Sequence, residues 1–141
     1  MYDLLNTEIL FRAINSLNKF IYGLPKDEAE NTLYYKFGFT GRLCWLDGQG
    51  RECNQPYRNG TLTQYIGITD KNKNKIFVGD IVNCNLFYEG SFLPHTGVII
   101  YYPEYGSYAT KNSDGIITLL YHIDFNSYKI IGNIFNNPDL L

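Results

Sequence analysis

The chain is poor in charge, cysteine, methionine and histidine, and no apolar run in it approaches the length of a membrane span. Charged residues are 18% of the sequence and the formal net charge is −2. The electrostatic excess that drives sequence-independent binding to nucleic acid is therefore missing, and such a role needs a local patch. Three cysteines occur, Cys44, Cys53 and Cys84, at spacings that match no zinc or redox motif. Their odd number, and an N-terminus unlike a secretory signal, lead us to expect reduced, partly buried thiols in a cytoplasm. The alternative is a Cys44–Cys53 bridge across a hairpin. The two histidines, His95 and His122, have no second His or Cys at ligand spacing, so neither a metal nor another cofactor is expected. Gly48 and Gly50 belong to a turn rather than to a phosphate-cradling motif. Asn59-Gly60-Thr61 has the form of a glycosylation triplet, but nothing else suggests secretion. With no spanning segment, no membrane partner is expected.

What the chain has in quantity is rings. Aromatic residues make up 16%, with 13 Tyr and 9 Phe, and this favours β structure, where rings pack well on a pleated surface. A length of 141 residues suits one domain with a real core, divided at most into two regions. The N-terminal text reads two ways. As a helix it gathers Leu5, Ile9, Ala13, Leu17, Ile21 and Leu24 on one face. As a hairpin it alternates Phe11 and Ala13 against Leu10 and Arg12, turns at Asn15–Asn18 and returns through Phe20 and Tyr22. Pro25, followed by Asp27, Glu28 and Glu30, suits the start of a short helix, with an acidic loop as its rival. Asp47-Gly48 is a strong hairpin turn. The turn-rich connector around Asn59-Gly60 divides an N-terminal region, 1–60, from a C-terminal region, 61–141.

The C-terminal region reads as strands between turns. Val82, Cys84, Leu86 and Tyr88 alternate with Asn83 and Asn85, and Glu89-Gly90 to Pro94-His95 reads as a loop. Gly97–Tyr102 is a continuous apolar run, broken by Pro103 and Gly106. Tyr105–Thr110, Ile116–Tyr121 and Tyr128–Phe135 follow as further strands. This spacing points to a small barrel or sandwich.

The stretch Gln64 to Val82, QYIGITDKNKNKIFVGDIV, has two apolar arms around a polar Asp-Lys-Asn tip, then a Gly79-Asp80 step into a strand. A positive φ is expected at Gly79, and Asp80 is placed to accept nearby backbone N–H groups. This block, with Phe11-Arg12-Ala13 and Lys19–Tyr22 before it and Ile130–Leu141 (IIGNIFNNPDLL) after it, resembles the YopX family of phage and prophage proteins. Lys73 stands where the family has a turn glycine, so a longer loop is expected there than a tight two-residue turn. Ile14 and Ile66 also depart from the pattern, and the Pro25–Tyr57 region is particular to this chain. The resemblance implies a mainly β protein whose N-terminal block is a hairpin; with the strand spacing and the Gly79-Asp80 step, the expected fold is N-terminal hairpins with at most one short helix and a C-terminal SH3-like, partly open small barrel. It also implies a bacterial host cytoplasm, and it brings no catalytic motif.

Three classes of function compete. For an enzyme, Cys84, His122 and Asp124 could be imagined as a triad, but Cys84 falls on the apolar face, so structural roles are preferred and no catalytic residue is assigned. For nucleic acid, Lys71, Lys73 and Lys75 form a cationic tip near Tyr65 and Phe77, and Arg42, Arg51 and Arg58 form a scattered second set. Their bland reading is a solvated loop. For protein contacts, Tyr88, Tyr101, Tyr102, Tyr105, Tyr108 and Tyr121 crowd a short region, with more rings than a small barrel can bury. The preferred expectation is a non-enzymatic accessory protein acting on a protein partner, homo-oligomers included. Nucleic-acid binding through Lys71–Lys75 is the second reading.

Overall fold

A computed structural model describes residues 10–23, 35–37, 42–46 and 49–141. Among the described residues the fold is mainly β, with twelve strands, short 3-10 turns and no α-helix. The chain divides into two compact units, Met1–Tyr65 and Ile66–Leu141. The position of the expected short helix after Pro25 and the Asp47-Gly48 turn both lie outside the described residues.

In the first unit β1 (Phe11–Ile14) and β2 (Phe20–Gly23) are antiparallel, with Arg12 opposite Tyr22 and Ala13 opposite Ile21. The hairpin wins over the helix because of how it turns and what it pairs with. The Asn15 carboxamide oxygen accepts the N–H groups of Leu17 and Lys19, and Asn18 takes the left-handed conformation (φ 59°) that asparagine tolerates. β1 then gains a second neighbour, the start of β6 (Thr63–Thr69), with Phe11 opposite Gln64. A helix would forfeit both ladders. Arg12 departs from simple alternation: it is buried, its guanidinium 3.9 Å from the centre of the Phe20 ring. The Asn59-Gly60 connector is tied to β1, since the Thr61 hydroxyl accepts the Ile14 N–H and the Arg58 N–H donates to the Ile14 carbonyl.

β3 (Tyr35–Phe37), β4 (Arg42–Leu46) and β5 (Glu52–Pro56) form a separate antiparallel sheet. Its register sets Cys44 opposite Asn54 and Trp45 opposite Cys53. The two cysteines are thus out of step across the hairpin, and Cys53 is a free thiol.

In the second unit the end of β6 pairs with β7 (Lys75–Phe77), and a five-stranded antiparallel sheet curls as a half-barrel. Its strands are β8 (Asp80–Tyr88), β9 (Ser91–Tyr102), β10 (Ser107–Lys111), β11 (Ile117–Leu119) and β12 (Lys129–Asn133), in the order β11-β10-β9-β8-β12. Ile76, Val82, Cys84, Ile99, Ile123 and Tyr128 make the core, with Ile66, Ile68, Val78, Leu86, Leu120 and Ile130 packed around them. The alternation read for 82–88 holds at its start, with Val82 and Cys84 buried and Asn83 exposed, and fades at the strand end, where both Phe87 and Tyr88 are exposed.

The expected loop from Glu89 to His95 is not a loop. Glu89 (φ 49°) and Gly90 (φ 78°) form a two-residue turn, and β9 starts at once. Pro94 is tolerated inside β9 because of the register. Its partner Asn85 spends its own N–H on the Ser127 hydroxyl and its carbonyl on the Asp124 N–H. That makes Asn85–Pro94 a non-hydrogen-bonded pair, so the missing proline N–H lies on the open edge of the strand.

Two joints hold the second unit's strand ends. Gly79 has φ 93°, accepts the Ile134 N–H and donates to the Ile99 carbonyl; an added Cβ would meet the Phe135 ring at 3.2 Å. Beside it the buried Asp80 carboxylate accepts the Phe77 N–H at 2.8 Å. At the C-terminus the Asn133 carboxamide oxygen accepts the N–H groups of Phe135 and Asn136. A Cβ on Gly132 would come within 2.8 Å of both Asn137 and Leu140.

Candidate functional site

The lysine-rich tip is built on Asp70. Its buried carboxylate accepts the N–H groups of Asn72 and Asn74 (both 2.9 Å) and, across to β12, that of Ile130 (3.2 Å). Burial alone would raise its pKa. The backbone N–H groups of Asn74, Ile130 and Asn72, with the Asn74 side-chain amide, outweigh that and hold it below the ordinary carboxylate value. The Lys73 N–H donates to the Asp70 carbonyl and the Asp70 N–H to the Asn74 carbonyl, which closes a three-residue loop. Lys73 occupies its left-handed position (φ 67°), where glycine is usual. The loop is one residue longer than the tight turn, as the lysine there implies.

Lys71, Lys73 and Lys75 are all exposed on this loop and strand. Phe77 is 1% exposed and has no face to offer a base, and Tyr65 is half-buried. The expected combination of three lysines with these two rings is therefore not an open stacking surface. Lys71 instead joins Lys129 at a cleft of about 440 Å³, lined also by Asn83, Asn85, Thr96 and Ser127. Of the arginines, Arg51 is exposed, Arg58 is exposed and donates to the Asn18 carboxamide at 3.0 Å, and the Arg42 side chain lies outside the described residues.

The residues imagined as a triad do other things. Cys84 is buried and burial pushes its thiol up to about 12, so it is a thiol and not a thiolate at neutral pH. His122 is exposed and stands edge-on to Tyr121. Asp124 caps a turn by accepting the Asn126 N–H. The residue that faces Cys84 across the ladder is His95, not read as its partner from the sequence. Its Nε2 lies 2.8 Å from the Thr110 hydroxyl, and burial lowers its pKa. Among the described residues no three His, Cys, Asp or Glu side chains converge as metal ligands, and no helix is long and apolar enough to cross a membrane.

The tyrosines fall into two places. Tyr88 stands beside the Glu89-Gly90 turn. Tyr101, Tyr102, Tyr105 and Tyr108 belong to the other end of β9, the turn after it and the start of β10, about 35 Å away along an extended strand, and Tyr121 lies in the 3-10 turn that follows β11, the strand paired with β10. Tyr101 meets Tyr108 edge to face at 5.6 Å, and Tyr102 meets Tyr105 at 5.5 Å. Tyr101, Tyr105 and Tyr121 are 53%, 69% and 91% exposed. Sequence reading missed Phe87 and Phe92, a second exposed ring pair flanking the Glu89-Gly90 turn. The signal was the Asn83-Asn85-Phe87 alternation, hidden by reading the start of β9 as a loop.

The family model described as YopX protein matches residues 11–141. No curated protein matches the chain.

Proposed function

This chain belongs to the YopX protein family, and from that premise we propose that it is a non-enzymatic accessory protein of a phage or integrated element, acting through protein contacts in a bacterial cytoplasm. The contact surface is the tyrosine-rich end of β9 and β10. The observation that carries this reading is the exposure of Tyr101, Tyr105 and Tyr121, each more than half open to solvent. Tyrosine offers large contact area with a hydroxyl that both donates and accepts, so a sheet end that exposes several of them complements another of its kind. Ring pairing with Tyr108 and Tyr102 limits the freedom lost when the surface is covered. A net charge of only −2 gives two copies little to repel. The partner that fits this surface is a second copy of the chain, in a two-fold contact. The protonated, buried Cys84 thiol, with His95 engaged by Thr110, supports the non-enzymatic part of the reading.

Sedimentation equilibrium tests it. The wild-type chain should show a concentration-dependent dimer, and Tyr101→Ser/Tyr105→Ser/Tyr121→Ser should sediment as a monomer with the melting temperature preserved. A wild-type monomer throughout, or a dimer untouched by the triple substitution, overturns the reading.

A further inference from the structure

Strand alternation sets Asn83, Asn85 and Phe87 on one face of β8, opposite the core residues Val82 and Cys84. The unbroken register with β9 places Thr96, Pro94 and Phe92 beside them in turn, and Lys129 of β12 stands opposite Asn83. One face of the sheet thus carries a row Lys129–Asn83–Thr96, then Asn85–Pro94, then the rings of Phe87 and Phe92. The rings meet edge to face with centroids 5.5 Å apart, and they are 54% and 57% exposed. The first row and the ring pair are four residues apart along β8, a span of about 13 Å.

Lys71 reaches the same face from the β6–β7 loop, which is pinned by the Lys71 N–H on the Tyr128 carbonyl. It lines the cleft together with Lys129, Asn83, Asn85, Pro94 and Thr96, and no carboxylate lines that cleft. The nearest acid in sequence to Ser127 is Asp124, whose carboxylate accepts the Asn126 N–H. Asn83 accepts the Thr96 hydroxyl proton at 2.7 Å, which leaves its amide donors for a ligand. In a chain of net negative charge, this is a locally cationic strip beside exposed rings.

We propose that this face binds a single strand of nucleic acid, with phosphates at Lys71 and Lys129 and a base stacked on the Phe87–Phe92 pair. Cations that track a backbone, next to aromatic rings that accept any base, are the combination such strands require. The site stands apart from the tyrosine surface, at the far end of β9, and does not depend on it. It also replaces Phe77 and Tyr65, as the stacking groups, with rings that are open to solvent.

The test is fluorescence anisotropy with a labelled oligothymidylate of roughly a dozen nucleotides, at several salt concentrations. With two phosphates neutralised, log K should fall against log salt with a slope of about −1.4. Lys71→Ala/Lys129→Ala should flatten that slope, and Lys71→Ala alone should take away about half of it. Phe87→Ala/Phe92→Ala should weaken binding about tenfold and leave the slope unchanged. All four side chains are exposed, so circular-dichroism melts should match the wild type. No binding at low salt, or binding indifferent to both pairs of substitutions, overturns the proposal. So does competition by thymidine monophosphate at the strand's own affinity, which would mark a nucleotide pocket.

Discussion

At the scale of single residues, the positions that carry the family resemblance are the ones that build joints. Gly79 needs φ 93° and a side-chain-free approach to Phe135. Asp80 holds the Phe77 N–H, Asn133 holds Phe135 and Asn136, and Gly132 leaves room for Asn137 and Leu140. None of these is free to do chemistry on a ligand. The positive φ at Gly79 was readable from the Gly-Asp step before an apolar strand, because few other residues make that turn without strain. The burial of Arg12 was not readable, since alternation alone set it against the apolar face and its stacking on the Phe20 ring is a tertiary contact. Gly79→Val should lower stability by about 1–3 kcal/mol, measured as a fall in the urea midpoint. An unchanged midpoint would refute the strained-joint account.

At the scale of elements, turns decide what the strands can be. The β6–β7 loop closes without its usual glycine because Asp70 gathers three backbone N–H groups and offsets the cost of Lys73 at φ 67°. The sequence announced a longer loop there but not the tie to Ile130, sixty residues away, which no local pattern encodes. The same holds for β9: Pro94 reads as a breaker, and only the Asn85–Ser127 and Asn85–Asp124 bonds show why its missing donor is harmless. The Asp70 clamp has a definite pH dependence. Its folded pKa is lowered, so its stabilisation is complete above the unfolded value of about 3.9 and is lost as pH falls through the lower folded value. Asp70→Asn should cost about 1–2 kcal/mol at neutral pH, and the gap to wild type should close in acid below about pH 4. Urea titrations at both pH values check this, and a gap that persists unchanged in strong acid would contradict it.

At the scale of the molecule, the fold class and the faces of 82–85 were legible because period-two alternation survives wherever one side is buried, whereas the start of β9 read as a loop and 97–102 as an apolar run without alternation. The two proposed surfaces were legible only in part. Composition showed that rings exceed what the core can hold, and exposure then separated Tyr101, Tyr105 and Tyr121 from Tyr128, which is buried. It also moved the open rings of the lysine face from Phe77 to Phe87 and Phe92. A second copy, as we propose, binds at the tyrosine end of β9 and β10. Amide chemical shifts followed across a protein dilution series test it most directly. The expected result is concentration-dependent shifts confined to residues 101–108 and 119–123, with the Lys71–Lys75 loop and the Phe87–Phe92 turn unmoved. Shifts centred on those other elements, or none over the whole series, would contradict it.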